Sequence, residues 1–249
     1  MILVKDFNEV NNKLSEKWDK EWLLSWRDIC RSTDEHTVIA SILPKSACGD
    51  TVLLMLPKVN NTKLISFLIV NLNSFIFDYV ARQKVAGTHL KFFTMRQLPI
   101  LPPESYTEED IEFITPRVLE LVYTAWDMQP FAEDIWKDSD EKMRELIIKQ
   151  WEDNQKGQRI SSDSATTNYD LKPFIWNTQR RNLIRAELDA YYAKLYGLTR
   201  DELRYILDPS DVYGEDFASE TFRVLKNNEI KKYGEYLTQR LVLESWDRM

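Results

Sequence analysis

Thr37-Val38-Ile39-Ala40-Ser41-Ile42-Leu43, closed by Pro44, and Thr51-Val52-Leu53-Leu54-Met55-Leu56, closed by Pro57, decide how this chain is read. Both runs are dense in β-branched and aliphatic residues. Between them lies Lys45-Ser46-Ala47-Cys48-Gly49-Asp50, made largely of small and turn-forming residues. The combination predicts strands near 37–43 and 51–56 joined by a loop able to approach a ligand, with Lys45 as the loop's basic residue. Most of the remaining chain carries helical spacing, so the expected class is α+β, predominantly helical.

Upstream, Trp18, Trp22 and Trp26 recur every four residues, with Leu14 and Ile29 on nearby faces. This spacing predicts a helix over 7–32 with its tryptophans in the core. Downstream, Thr62 as an N-cap and the apolar run Leu64 to Val70 predict a buried helix over 62–80 beneath the sheet. The extended stretch Met95 to Pro103 then closes on paired prolines, which cannot continue a helix. The expected organisation is an N-terminal helix in 1–36, a small mixed α/β domain in 37–103 and a helical domain in 104–249.

In that last part, Thr107-Glu108-Glu109-Asp110 places acids in a first helical turn, and Pro116 is expected to kink or divide the helix. A second amphipathic stretch spans 140–153, and a polar, exposed loop is expected near 154–170. A long helix runs from Pro173 through Tyr196 to a stop at Gly197, and Thr199 caps a short helix. Residues 208–217 read as a loop. A last helix covers 219–233, with a short tail to Met249.

Charge divides the chain of 249 residues. Its 33 Lys+Arg and 40 Asp+Glu give a net charge of -7. Residues 1–103 hold 13 basic and 10 acidic residues, and 104–249 hold 20 and 30. Between Thr51 and Pro103 there are six basic residues and a single acid, Asp78. A uniformly basic nucleic-acid binder is excluded and a locally basic one is not. Two cysteines, Cys30 and Cys48, make no disulfide framework, and two histidines, His36 and His89, cannot build a multi-histidine metal site. Six glycines leave little material for phosphate cradles, and the P-loop, GxGxxG, GxSxG and HExxH patterns are missing. Met1-Ile2-Leu3-Val4 runs at once into Lys5 and Asp6, unlike a signal peptide, and Leu64 to Val70 is too short to span a bilayer. The expectation is a soluble, cytoplasmic protein with no membrane partner.

The candidate site is the basic stretch Tyr79 to Phe93 and its exit through Arg96. Arg82, Lys84, Lys91 and Arg96 can neutralise phosphates, while Gln83, Thr88 and His89 can read base edges. Gln83 can pair bidentately with adenine, Arg82 or Lys84 can reach guanine, and Gly87 lets backbone approach a duplex. The same residues also fit a basic loop that only packs on neighbouring acids. Arg180, Arg181 and Arg185 likewise fit either phosphate contact or pairing with Glu187 and Asp189. Asp216 and Glu229-Ile230-Lys231 match the D…ExK spacing of Mg²⁺-dependent nucleases, but the surrounding residues read as a solvated helix face.

Two stretches carry a resemblance. The first is Asn71-Leu72-Asn73-Ser74-Phe75-Ile76-Phe77-Asp78-Tyr79-Val80-Ala81-Arg82-Gln83-Lys84-Val85-Ala86-Gly87-Thr88-His89-Leu90, running on to Gln97-Leu98-Pro99-Ile100-Leu101-Pro102-Pro103. The second is Arg185-Ala186-Glu187-Leu188-Asp189-Ala190, Tyr196-Gly197-Leu198, Ile206-Leu207-Asp208-Pro209 and Glu220-Thr221-Phe222-Arg223-Val224-Leu225. Together they resemble the C-terminal, target-recognition part of Eco57I-like class I adenine-specific DNA methyltransferases of type IIG restriction–modification and phage-defence systems. The resemblance implies double-stranded DNA and a catalytic methyltransferase domain or subunit as partners. It implies methyl transfer from S-adenosylmethionine to adenine N6 in the parent enzyme. The catalytic Asn-Pro-Pro-aromatic loop and the cofactor motif are missing from this sequence, so no cofactor is expected in this chain. Two other functions fit the sequence: a helical scaffold that docks on a catalytic subunit, and a Mg²⁺-dependent nuclease.

Overall fold

A computed structural model describes residues 14, 16–58, 61–156, 172–214, 216–217 and 221–249. The protein is α+β and mostly helical, with a small three-stranded antiparallel sheet. The sheet comprises β1 (Trp22–Arg27), β2 (Ala40–Pro44) and β3 (Val52–Met55) in the order β2-β1-β3. β1 pairs with β2 from Trp22↔Pro44 to Trp26↔Ala40, and with β3 from Leu24↔Met55 to Arg27↔Val52.

β1 overturns the expected helix over 7–32, whose first residues, 1–13, lie outside the described part. The reason is geometric. Residues four apart fall on one face of a helix, and they also fall on one face of a strand, where side chains alternate. β1 is the central strand and every residue from Trp22 to Trp26 is buried, so the polar alternation that marks a strand is lost. The tryptophans do lie in the core. Trp22 Nε1 donates to Asp134 Oδ2 at 2.9 Å and its ring meets Phe131 edge-on at 5.1 Å. Trp26 Nε1 donates to the Leu90 carbonyl at 2.8 Å. The expected strands 37–43 and 51–56 are present in shorter form.

The expected helix over 62–80 is two helices, α1 (Thr62–Asn73) and α2 (Phe75–Lys84), bent by 56°. Asn61, not Thr62, is the N-cap of α1, accepting from the Lys63 N–H at 3.0 Å. Ser74 divides the pair: its Oγ donates to the Asn71 carbonyl at 2.9 Å and accepts the Phe77 N–H at 3.3 Å as the N-cap of α2. The Phe75 N–H is taken by Asp189 Oδ1 at 3.0 Å.

A four-residue turn, α3 (Phe92–Met95), precedes the helical remainder: α4 (Glu108–Val122), α5 (Gln129–Lys137), α6 (Glu141–Gln155), α7 (Thr178–Leu195), α8 (Arg200–Leu207), α9 (Pro209–Tyr213), α10 (Arg223–Tyr233) and α11 (Leu237–Arg248). Thr107 with Asp110 and Thr199 with Glu202 form capping boxes. Gly197, at φ 74°, follows α7 as expected. α4 runs through Pro116 undivided. The expected loop 208–217 contains α9, and the expected tail is α11, whose Leu241 and Val242 are buried against the core. The polar loop expected near 154–170 lies largely outside the described residues, and α6 continues to Gln155.

One continuous set of buried side chains runs from Trp18 to Val242. α1 packs on β2, α4 and α5, while α2 packs on α7 and α8. Polar ties cross this core at fixed points. Tyr192 Oη donates to the Phe67 carbonyl at 2.7 Å, and Asn71 Nδ2 donates to Tyr196 Oη at 2.9 Å. Buried Glu120 on α4 accepts from Arg180 Nη2 and Asn154 Nδ2, each at 2.9 Å. No single helix among the described residues is long and apolar enough to cross a membrane.

The deepest tie is Asp78–Arg82 on α2. Asp78 accepts the N–H groups of Thr37 and Val38, each at 3.0 Å, and Arg82 Nη2 donates to it at 3.1 Å. The Arg82 guanidinium also donates to the carbonyls of Ser32, Asp34 and Glu35 and to that of Thr221, and it lies 4.4 Å from the Phe222 ring centre. Removing one member of a buried charged pair leaves the other unmatched. Arg82→Ala is therefore expected to lower unfolding free energy by about 3–5 kcal/mol in urea titration. A loss below about 1 kcal/mol, typical of an exposed pair, would show that the knot is peripheral.

Asp189 supplies a pH-dependent term. Burial pushes its carboxyl up to about 7, against the opposing pull of the Phe75 N–H, His36 and Arg185. The folded state thus holds a proton that the unfolded chain releases near pH 4, and stability falls as pH rises from about 4 to 7. Asp189→Asn, which keeps an acceptor for Phe75, is expected to flatten that fall. Parallel stability–pH curves for the two proteins would refute it.

Candidate nucleic-acid interface

After α2 the chain turns outward, yet it is fixed at several points. Val85 and Leu90 are buried. The Leu90 N–H donates to the Asp28 carbonyl at 2.8 Å and the Cys30 N–H to the Thr88 carbonyl at 3.1 Å, with an isolated antiparallel bridge between Ile29 and His89. Trp26 lies beneath, bonded to Leu90 and edge-on to Phe92 at 4.8 Å. Segment 85–92 therefore extends the central strand's line as a short bridge, with one side anchored and one side open.

The anchored side includes three residues expected to face DNA. Arg82 is the first correction: its guanidinium is buried and bonded to protein carbonyls and Asp78, so it faces away from solvent. His89 Nδ1 and Lys91 Nζ lie 2.8 Å and 2.6 Å from Asp28 Oδ2. The Asp28 side chain is 1% exposed, while those of His89 and Lys91 remain 52% and 53% exposed. Burial raises the Asp28 pKa, but the bonds from Lys91 and His89 outweigh it and hold the carboxyl below its ordinary value. Lys45 makes a pair with Glu21 at 2.9 Å. The reading of a basic loop packed on acids therefore holds for Arg82, His89, Lys91 and Lys45.

The open side holds Gln83, Lys84, Gly87, Thr88 and Arg96, all exposed. Among the described residues, the side chains of Gln83, Lys84, Thr88 and Arg96 have no hydrogen-bond or ion-pair partner. A Cβ at Gly87 would meet nothing within 4 Å, and its φ is not in the left-handed region. The fold itself does not require glycine there. Phe92 and Phe93 lie within the candidate stretch, but the sequence assigned them no role of their own. Phe93 is 79% exposed and stands between Lys91 and Arg96. Phe92 packs edge-on against Trp26, and Phe93, about 100° further round the same turn, points to solvent.

The second-half arginines have other partners than expected. Arg180 pairs with Glu120, and Glu187 pairs with Arg117 at 2.7 Å. Glu229 lies on a helix and accepts the Thr238 N–H at 2.8 Å and its hydroxyl at 2.7 Å. Among the described residues no group of three or more His, Cys, Asp or Glu gathers to hold a metal ion. No family model, curated protein or solved structure matches the chain.

The Asp28 clamp is directly testable. Its depressed pKa gives stability that is present above the unfolded value near 4 and lost as pH falls through the folded one. Asp28→Asn is expected to destabilise the protein at neutral pH, to remove that acid-limb loss and to speed amide exchange at Leu90. Unchanged exchange at Leu90 would show that the loop holds without the clamp.

Proposed function

We propose that the chain is the DNA target-recognition part of an adenine-specific methyltransferase of a restriction–modification or phage-defence system, acting in the cytoplasm. The observation that carries the reading is the open side of segment 83–96. It combines the unpaired cations Lys84 and Arg96, the polar groups Gln83 and Thr88, and the exposed Phe93 on a rigidly held backbone. Cations without protein partners suit phosphates. A glutamine amide suits the adenine edge in the major groove. An aromatic ring amid cations suits stacking on an unpaired or extruded base. Methyl transfer from S-adenosylmethionine would belong to a catalytic domain or subunit outside this chain.

One observation favours docking to a partner protein as a second reading. Trp126 and Trp176 are 60% and 61% exposed, and the segment bearing Trp176 is tied to that of Trp126 through the Phe174 N–H and Tyr123 carbonyl at 2.8 Å. Exposed tryptophans are frequent anchors at protein interfaces. The two surfaces are compatible in one molecule.

Lys84→Ala with Arg96→Ala is expected to weaken duplex binding on all sequences and to make the log–log salt slope shallower by about 2. Phe93→Ala should cost about 1–3 kcal/mol on single-stranded or mismatched sites. Gly87→Ala, neutral for the fold, reports on contact alone. Affinities measured across a salt series would contradict the reading if the double variant bound like wild type.

A further inference from the structure

A cleft of about 580 Å³ lies between the outer edge of β2 and helices α4, α7 and α11, well away in sequence from the 83–96 surface. The volume falls in the range of small-molecule sites. Its walls are mainly aliphatic, including Val118, Val122, Leu188 and Leu241. Along one wall α7 presents Arg181, Arg185 and Asp189, spaced by single helical turns.

Neither arginine in this cleft has a bonded carboxylate among the described residues. Arg181 is 8% exposed. Its Nη1 donates to the Leu121 carbonyl at 2.9 Å, its guanidinium stacks 3.7 Å from the Trp176 ring, and its Nε is buried with no partner. Arg185 has no ion pair among the described residues, and it stands one turn from Arg181, where like charges repel. Glu120 acts on Arg181 only at a distance, since its carboxylate is taken by Arg180, Gln150 and Asn154. The carboxylates that line the cleft are directed to other partners and none bonds either arginine. Glu229 is held by Thr238, Glu35 by Asn228, and His36 faces Asp78 at 3.7 Å. Asp189, pushed up to about 7, is near its midpoint at neutral pH. Burial and the neighbouring Arg185 pull the Arg181 pKa down to about 10, which leaves it cationic at neutral pH.

A mostly buried cation with no bonded carboxylate is costly unless an anion joins it. Guanidinium groups match the two oxygens of a carboxylate or phosphate. We propose that this cleft binds a small amphiphilic anion, an aliphatic body bearing one carboxylate or phosphate, with its head on Arg181 and Arg185 and its body along Val118, Val122 and Leu241. The proposal is independent of DNA binding.

Calorimetric titration of the full chain with octanoate, octyl phosphate and octanol tests it. At least one anion should bind at a single saturable site, at least tenfold more tightly than octanol. The tighter anion identifies the head group, and equal affinities mean that either source serves. Arg185→Gln, at an exposed position, should weaken anion binding about tenfold while the circular dichroism of the folded chain stays as in wild type. Phe93→Ala should leave anion binding as in wild type. No saturable binding of either anion, equal affinity for octanol, or an unaltered affinity in Arg185→Gln would each overturn the proposal.

Discussion

The Asp78–Arg82 pair is the constraint on which the architecture rests. Asp78 fixes the chain entering β2 through two backbone N–H groups, and Arg82 gathers the carbonyls of the preceding loop together with one from the segment before α10. One turn of α2 thereby joins the sheet to the C-terminal helices. A carboxylate alone at this depth would be strongly unfavourable, and so would a guanidinium alone. Together, with backbone partners for most of their polar atoms, they set the position at which α2 ends. Everything on the outer face of 83–96 takes its direction from that end point.

The second constraint is the central position of β1. It places Trp26 under Leu90 and Phe92, and its continuation, Asp28 to Cys30, receives the bridge from Thr88 to Leu90. The exposed surface is therefore no loose loop. Its backbone is held by buried groups, so ordering it on a ligand costs less conformational entropy than ordering a free segment would.

Much of the fold was legible where the local signal is chemical. Pro44 and Pro57 bound the two recognised strands, the Thr199 capping box starts α8, and Gly197 ends the helix before it. What stayed hidden depends on burial geometry. The tryptophan spacing is shared by helix and strand, and only the neighbours of β1 decide between them. Ser74 splits an apolar run that periodicity alone reads as one helix. The C-terminal helix leaves its signal in Leu237, Leu241 and Val242, a stripe too short to separate from a tail by spacing alone. In the site, the sequence supplied the charges without their directions. Asp78 and Arg82 stand four apart, a spacing that signals pairing on a helix. Lys84, two residues further on, faces the other way and stays free. Asp28, distant in sequence from His89 and Lys91, gave no local hint that it would bind both.

In the proposed function the open face of 83–96 lies against DNA. Photo-crosslinking to duplexes carrying 5-iodouracil, followed by mass spectrometry of tryptic peptides, reads out that contact. Adducts are expected to concentrate on the peptide Phe92–Arg96 and to be lost in Phe93→Ala. Adducts centred on the peptides containing Trp126 or Trp176, with none on Phe92–Arg96, would contradict it.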